Sequence, residues 1–108
     1  MKYSTASAFD AGWARLSTIE QDIFLRVIRE QFRPACERFA RNPSSPWPRG
    51  LRVKRVIGSA GVLEMTWSFA GPDGRATFEC TEFDGELAIR WRRIGGHDIF
   101  TRPLSDAG

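Results

Sequence analysis

The chain has 108 residues, of which 42% are hydrophobic, with a formal net charge of +3 at pH 7. This length suits a single domain, residues 1–108, that can bury its own core without a disulfide or a metal. The sequence has no apolar run of the ~18 residues that a membrane span needs and no signal peptide, so we expect a soluble, cytoplasmic protein without a membrane partner. One histidine and two cysteines outside a C-x-x-C pair are unlike a zinc site, and no cofactor is expected.

The first third of the sequence has helical periodicity. Apolar residues between Phe9 and Leu16 recur at i, i+4 and i+7, which places them on one helical face. Ser17 and Glu20 have the spacing of a capping box, so a second helix is predicted to begin there and to continue to about residue 40. Pro34 interrupts this helix, and we expect a kink just before it or two abutting helices.

The remainder of the sequence has the signals of a loop followed by strands. Asn42 to Gly50 contains three prolines and predicts an extended loop, after which the hydrophobic period changes to two. These elements predict an α+β domain, with an N-terminal helical hairpin packed on one face of a twisted antiparallel sheet of about four strands. Lys2 to Thr5 is a candidate edge strand. The main strands are predicted over 51–57, 62–69, 75–83 and 86–94.

Alternation along these strands divides their side chains between two faces. The apolar set must meet the helices, which leaves the polar set on an open face. Any half-exposed antiparallel sheet has a polar outer face. Here, however, cations predominate and Glu64 is the one acidic residue expected, which favours a phosphate-binding groove. The residues predicted to share this face are Arg52, Lys54, Glu64, Thr66, Arg75, Thr77, Arg90 and Arg92.

The only histidine of the chain, His97, follows the last predicted strand in the segment WRRIGGHDIF. A turn through its two preceding glycines would bring the imidazole over one end of the groove. With an ordinary pKa near 6.5, imidazole exchanges protons at neutral pH, which a guanidinium does not. A lone histidine in a glycine turn is more often structural than catalytic, so the residues alone leave both interpretations open.

The order of these segments resembles the RelE/ParE superfamily of bacterial type II toxins, most closely its RelE-like side. The stretch GLRVKRVIGSAGVLEMTWSF, then DGRATFE, then WRRIGGHDIF carries the resemblance, which extends over essentially the whole chain. It implies a toxin that cleaves mRNA, usually on the translating ribosome. It also implies a cognate antitoxin protein that holds the toxin inactive in a hetero-oligomer.

By position, the resemblance implies a catalytic set of Arg75, His97, Glu64 and Lys54. Arg75 matches the phosphate-contacting arginine of the family, and His97 matches the C-terminal histidine of its histidine-bearing members. Thr66 and Ser68 depart from the pattern, because relatives often have a further basic residue there. Phe100, where some relatives have a tyrosine, has no proton to exchange and is expected only to stack on a base. The RNA-binding residues expected are Arg52, Arg55, Arg90, Arg92 and Phe100.

The chemistry expected of this set needs no metal. An RNA 2′-hydroxyl attacks the adjacent phosphate, with Glu64 or His97 as base, His97 as acid, and Arg75 and Lys54 stabilising the accumulating charge. Two alternatives remain open on the sequence. ParE-like members inhibit DNA gyrase without cutting RNA, and a non-catalytic RNA-binding regulatory module would keep the basic face without the activity.

Overall fold

The computed structural model describes residues 2–42, 44–58, 60–68, 73–83 and 85–96. Within these ranges the chain is an α+β domain in which helices pack on one face of a sheet. Among the described residues, every helix is too short or too polar to cross a lipid bilayer. The elements are β1 Lys2–Thr5, α1 Ser7–Arg15, α2 Thr18–Val27, a π-helical turn Ile28–Phe32, α3 Arg33–Arg41, a 3-10 turn Arg49–Leu51, β2 Lys54–Arg55, β3 Val62–Ser68, β4 Asp73–Phe83 and β5 Glu86–Gly95.

The start of α2 and the interruption after it lie where the sequence predicts them. The Glu20 amide donates to Ser17 Oγ over 3.1 Å, and the Ser17 amide donates to Glu20 Oε1 over 2.9 Å, which completes the capping box. The interruption is a π-helical turn, in which the Arg33 amide donates to the Ile28 carbonyl. This wider turn lies directly before Pro34, which has no N–H and whose ring would clash with a regular turn.

The sheet has five strands in the order β1-β5-β4-β3-β2. The pairs between β2, β3, β4 and β5 are antiparallel as predicted. The candidate edge strand is present, but β1 runs parallel to β5, with Lys2 opposite Ala88. The sheet is therefore mixed, and the expectation of a purely antiparallel sheet of about four strands was wrong in that respect.

The strand predicted over residues 51–57 is mostly absent, because only Lys54–Arg55 pairs with β3. Arg52 has a left-handed backbone with φ of 46°, which breaks the extended run. Leu51, in the 3-10 turn before it, is fully buried. The alternating hydrophobic residues of this segment therefore belong mostly to a turn, in which the Leu51 side chain is buried in the core. The fourth strand also begins earlier than expected, since β4 starts at Asp73 and the prediction began at residue 75.

The apolar side of the sheet packs against the helices, as alternation predicts. Phe32 lies at the centre of this core, with ring centroids 4.9 Å from Trp91 and 5.1 Å from Phe78. Phe24 of α2 makes similar contacts at 5.1 Å with Trp67. The other fully buried strand residues of this side are Met65, Ala76 and Ile89.

Gly12 marks the place where α1 crosses β5. A Cβ at this position would collide with the carbonyl oxygen of Ile94. We expect Gly12→Ala to destabilise the fold by roughly 1–3 kcal/mol, because overpacking outweighs the ~1 kcal/mol of helix propensity that alanine supplies. Urea unfolding of the variant checks this, with Ala14→Gly in the same helix as a control for propensity alone. A stabilised Gly12→Ala variant would contradict the close approach.

The two cysteines are free and lie on the core side of the sheet. Burial, with the neighbouring Cys80 as the next cause, raises the pKa of the Cys36 thiol to about 12, and burial raises the pKa of Cys80 to about 11. Since the thiolate is the reactive form, we expect neither cysteine to react appreciably with a thiol reagent at pH 8 until urea unfolds the chain. Fast labelling of the folded protein would contradict this.

The same shifts predict alkaline sensitivity. A raised pKa means that the folded chain holds these protons more tightly than the unfolded chain does. The contribution of Cys36 to the free energy of unfolding is therefore complete below pH 9, the ordinary pKa of a thiol, and is lost as pH rises toward about 12. Unfolding curves collected across this pH range, with Cys36→Ala for comparison, measure the contribution.

Candidate functional site

The side of the sheet opposite the helices, called here the outer face, brings together polar residues from neighbouring strands. Glu64 of β3 lies opposite both Lys54 of β2 and Thr77 of β4. In the next row, Thr66 lies opposite Arg75. Because directly opposed residues project to the same side, these side chains form one patch.

Glu64 lies at the centre of this patch and is only 4% exposed. Its Oε1 accepts hydrogen bonds from Arg75 Nη1 and from Thr66 Oγ1, both at 3.2 Å. Removing such a pair from water costs free energy that attraction alone often fails to recover. The contact between the buried Glu64 carboxylate and the partly exposed Arg75 guanidinium is therefore weak evidence for stabilisation of the fold.

The middle of the outer face is less open than the sequence suggested. Glu64, Thr66 and Thr77 are all buried, and Thr77 is 1% exposed. Within the described part of the chain, the Thr77 hydroxyl has no hydrogen-bond partner. The Arg75 side chain remains 22% exposed, so a ligand would reach this buried group of polar residues through its guanidinium.

A β-bulge in β5 adds cations to the outer face. The register between β4 and β5 shifts between Thr77, which lies opposite Arg93, and the next residue, Phe78, which lies opposite Trp91. The extra residue, Arg92, contacts Glu79 with Nη1 3.1 Å from Oε1. The outer face thus carries a second carboxylate, Glu79, and the expectation that Glu64 is its one acidic residue was wrong.

The bulge also explains why sequence analysis missed Arg93. Strict alternation from Trp91 would place Arg93 on the core side with it. One extra residue reverses the alternation, so Arg93 joins the outer face and Ile94 enters the core at 3% exposure. No turn signal or glycine lies at residues 91–94 to indicate this bulge.

The other predicted site residues lie on the outer face, away from it, or outside the described residues. Lys54 and Arg90 are exposed on the outer face. Arg55 does not join them, because it lies opposite Leu63 and lines a cavity beside that residue on the core side of the sheet. Arg52 is exposed but lies outside β2, in the left-handed turn. His97 and Phe100 lie outside the described residues.

The patch offers two chemical capabilities. A guanidinium binds a phosphate through two parallel N–H donors, and Arg75 is held in place by the carboxylate beside it. A carboxylate next to a bound phosphodiester is able to take a proton from a neighbouring hydroxyl. Lys54, opposite Glu64, adds a flexible positive charge at the edge of the same patch.

Comparisons with known proteins assign no relative to this chain. No protein-family profile, no curated protein and no solved structure matches it. The geometry of the outer face is therefore the structural observation that bears on function, and the likeness to RelE-type toxins is a hypothesis.

Proposed function

We propose that this protein is the toxin of a type II toxin–antitoxin pair and acts as a metal-independent mRNA endoribonuclease. One observation carries the proposal: a buried carboxylate, Glu64, contacts the partly exposed guanidinium of Arg75 on a cationic sheet face. RNA cleavage by its own 2′-hydroxyl needs a base and a cation at one phosphate. Glu64 is the candidate base, and Arg75 is the candidate cation.

In the proposed reaction, Arg75 binds the non-bridging oxygens of the scissile phosphate. A guanidinium has five N–H donors, so the contact of Nη1 with Glu64 is compatible with a phosphate contact. Glu64 accepts the proton of the 2′-hydroxyl, the O2′–P bond forms, and the P–O5′ bond breaks. His97 supplies the proton of the leaving 5′-hydroxyl. Lys54 offsets the negative charge that accumulates on the non-bridging oxygens of the phosphate.

The biological setting follows from the resemblance and is part of the same proposal. The toxin acts in the cytoplasm on mRNA at the translating ribosome and stops translation. A cognate antitoxin holds it in an inactive hetero-oligomer. Among the strand residues whose side chains the structure describes, cations outnumber carboxylates on the outer face, which supports a polyanionic substrate. The cations are Lys2, Lys54, Arg75, Arg90, Arg92 and Arg93, and the carboxylates are Glu64, Glu79 and Glu86.

The product ends test the proposal directly. Purified protein should convert RNA to fragments with a 2′,3′-cyclic phosphate and a 5′-hydroxyl, also with EDTA present. Translating ribosomes should be supplied in one arm, because the proposed substrate is the ribosome-bound message. Intact RNA in both arms, despite measurable binding, would overturn the nuclease assignment.

That negative outcome would support a non-catalytic RNA-binding module. The low exposure of Glu64 and Thr77 favours this second candidate, because it limits how closely a phosphodiester approaches the carboxylate. Affinity measurements do not separate the two functions, since binding through phosphates weakens with salt in either case.

Pulse labelling after induction separates the nuclease from a gyrase inhibitor. Loss of methionine incorporation before loss of thymidine incorporation is expected for mRNA cleavage. The reverse order is expected if the protein instead inhibits gyrase, as ParE-like toxins do, and would contradict the proposal.

A further inference from the structure

A second polar concavity lies on the outer face, at the edge of the sheet formed by β1. Two rows of opposed residues cross β1, β5 and β4 there. Lys2 lies opposite Ala88, which lies opposite Thr81, and the next row is formed by three further residues in the same way. The members of that second row are Ser4, Arg90 and Glu79.

Ala88 makes this region a groove. Its methyl group lies between the longer side chains of Lys2 and Thr81, and the depression has a volume of about 510 Å³. Lys2, Thr81 and Arg90 are exposed, so the groove is open to solvent. Within the described part of the chain, Arg90 makes no ion pair, because the carboxylate opposite it, Glu79, contacts Arg92 instead.

The groove is lined by both cations and a carboxylate, which indicates a ligand other than a simple anion. Lys2 and Arg90 attract a phosphate, but Glu79 would repel one placed against it. A ribose with a phosphate satisfies both, because its hydroxyls donate to a carboxylate while its phosphate meets the cations. The hydroxyls of Ser4 and Thr81 add short-range donors and acceptors at the rim.

We propose that this groove, called here the β1 groove, is a nucleotide subsite for single-stranded RNA. The choice of RNA rests on the proposed function. Arg75 and Thr81 are six positions apart on β4, which is about 20 Å at the rise of an extended strand. The β1 groove therefore holds a ribose-phosphate several nucleotides from the bond that is cut at Arg75. The RNA between these two points passes Arg92 and Arg93.

The test uses the full chain and a short fluorescent single-stranded RNA. Ala88→Leu fills the β1 groove and leaves every charge in place. It lies on a partly exposed strand position that accepts a larger side chain. We expect this variant to weaken RNA binding by about tenfold. A second variant, Lys2→Ala with Arg90→Ala, should reduce the slope of log K against log salt by about 1.4, at ~0.7 for each RNA phosphate that the variant no longer neutralises.

The matched control is Arg15→Ala with Arg26→Ala, which removes two exposed positive charges from the helices. It should change the slope by much less. Two results would overturn the β1 groove: an unaltered dissociation constant for Ala88→Leu, or a slope for the Lys2 and Arg90 variant equal to that of the control. Wild-type protein that binds no RNA would overturn it as well.

Cleavage of the same RNA, measured in parallel, separates this inference from the proposed function. If Ala88→Leu weakens RNA binding and no cleavage is seen, the β1 groove is supported and the nuclease assignment is overturned. Cleavage by wild-type protein with an unaltered KM in Ala88→Leu keeps the nuclease and removes the β1 groove.

Discussion

Replacement of Arg75 by alanine is expected to lower the rate of RNA cleavage by about 10²- to 10³-fold. This is the usual cost of removing one well-placed donor from a site where charge accumulates in the transition state. Arg75 is the partly exposed member of the buried pair with Glu64, so it is the group through which a phosphate would meet this site. Arg75→Lys keeps the charge but loses the planar fork, and we expect only partial recovery. Single-turnover cleavage of a defined RNA measures both effects.

Arg33→Ala is the control for the loss of one positive charge. Arg33 lies on α3, is 65% exposed and pairs with Glu37, so its loss should leave cleavage unchanged. Thermal unfolding must show that each variant is folded, because Arg75→Ala leaves the Glu64 carboxylate buried without its cation. A folded Arg75→Ala variant that cleaves at the wild-type rate would remove Arg75 from the reaction.

Glu64→Gln distinguishes a base from a positioning residue. Glutamine keeps the shape of the side chain and an oxygen that accepts hydrogen bonds from Arg75 and Thr66, but it does not take a proton. If Glu64 is the base, cleavage should fall by roughly 10²- to 10⁴-fold while RNA affinity is maintained. If His97 is the base and Glu64 only orients Arg75, the rate should remain near that of the wild type. His97→Ala, measured beside it, completes the comparison.

Phe32→Ala is expected to have the largest effect on stability, a loss of roughly 3–5 kcal/mol in the free energy of unfolding. Phe32 is fully buried, and its ring contacts those of Phe78, Trp91 and Trp47. A domain of this size has only about 5–15 kcal/mol in total, so the variant should be close to unfolding at 37 °C. Urea denaturation with an unchanged m-value checks the loss.

Phe39→Ala serves as the comparison. Phe39 is partly exposed and stacks on Trp47 at 6.0 Å between ring centroids. Phe39→Ala should therefore lower the free energy of unfolding by clearly less than Phe32→Ala does. Equal losses for Phe32→Ala and Phe39→Ala would contradict the central place given to Phe32 in the core.

The parts of the fold that follow local rules were predictable from the sequence. The capping box at Ser17, the helical period of α2 and the alternation of β3 and β4 each depend on residues near one another in the chain. Pro34 indicated that the helix is interrupted but not how. The apolar residues Val27 and Phe32 are five positions apart and both buried, a spacing that suits the π-helical turn between α2 and α3.

The parts that depend on distant contacts were not predictable. The extended pattern of residues 51–57 gave no indication that Leu51 is fully buried or that Arg52, the next residue, has a left-handed backbone. The bulge at Arg92 depends on how β5 fits β4, and it decides which arginines share the outer face. Alternation along the strands predicted correctly that Glu64, Arg75 and Lys54 share one face, but it did not predict the position of Arg93 or the contact of Arg92 with Glu79.

The parallel pairing of β1 with β5 has a consequence for folding during translation. Lys2 is synthesised 86 residues before its partner Ala88. Closing so long a loop is slow, and β1 has no native neighbour until then. The last edge of the sheet, and with it the Lys2 side of the β1 groove, should therefore form only once nearly the whole described chain has been translated.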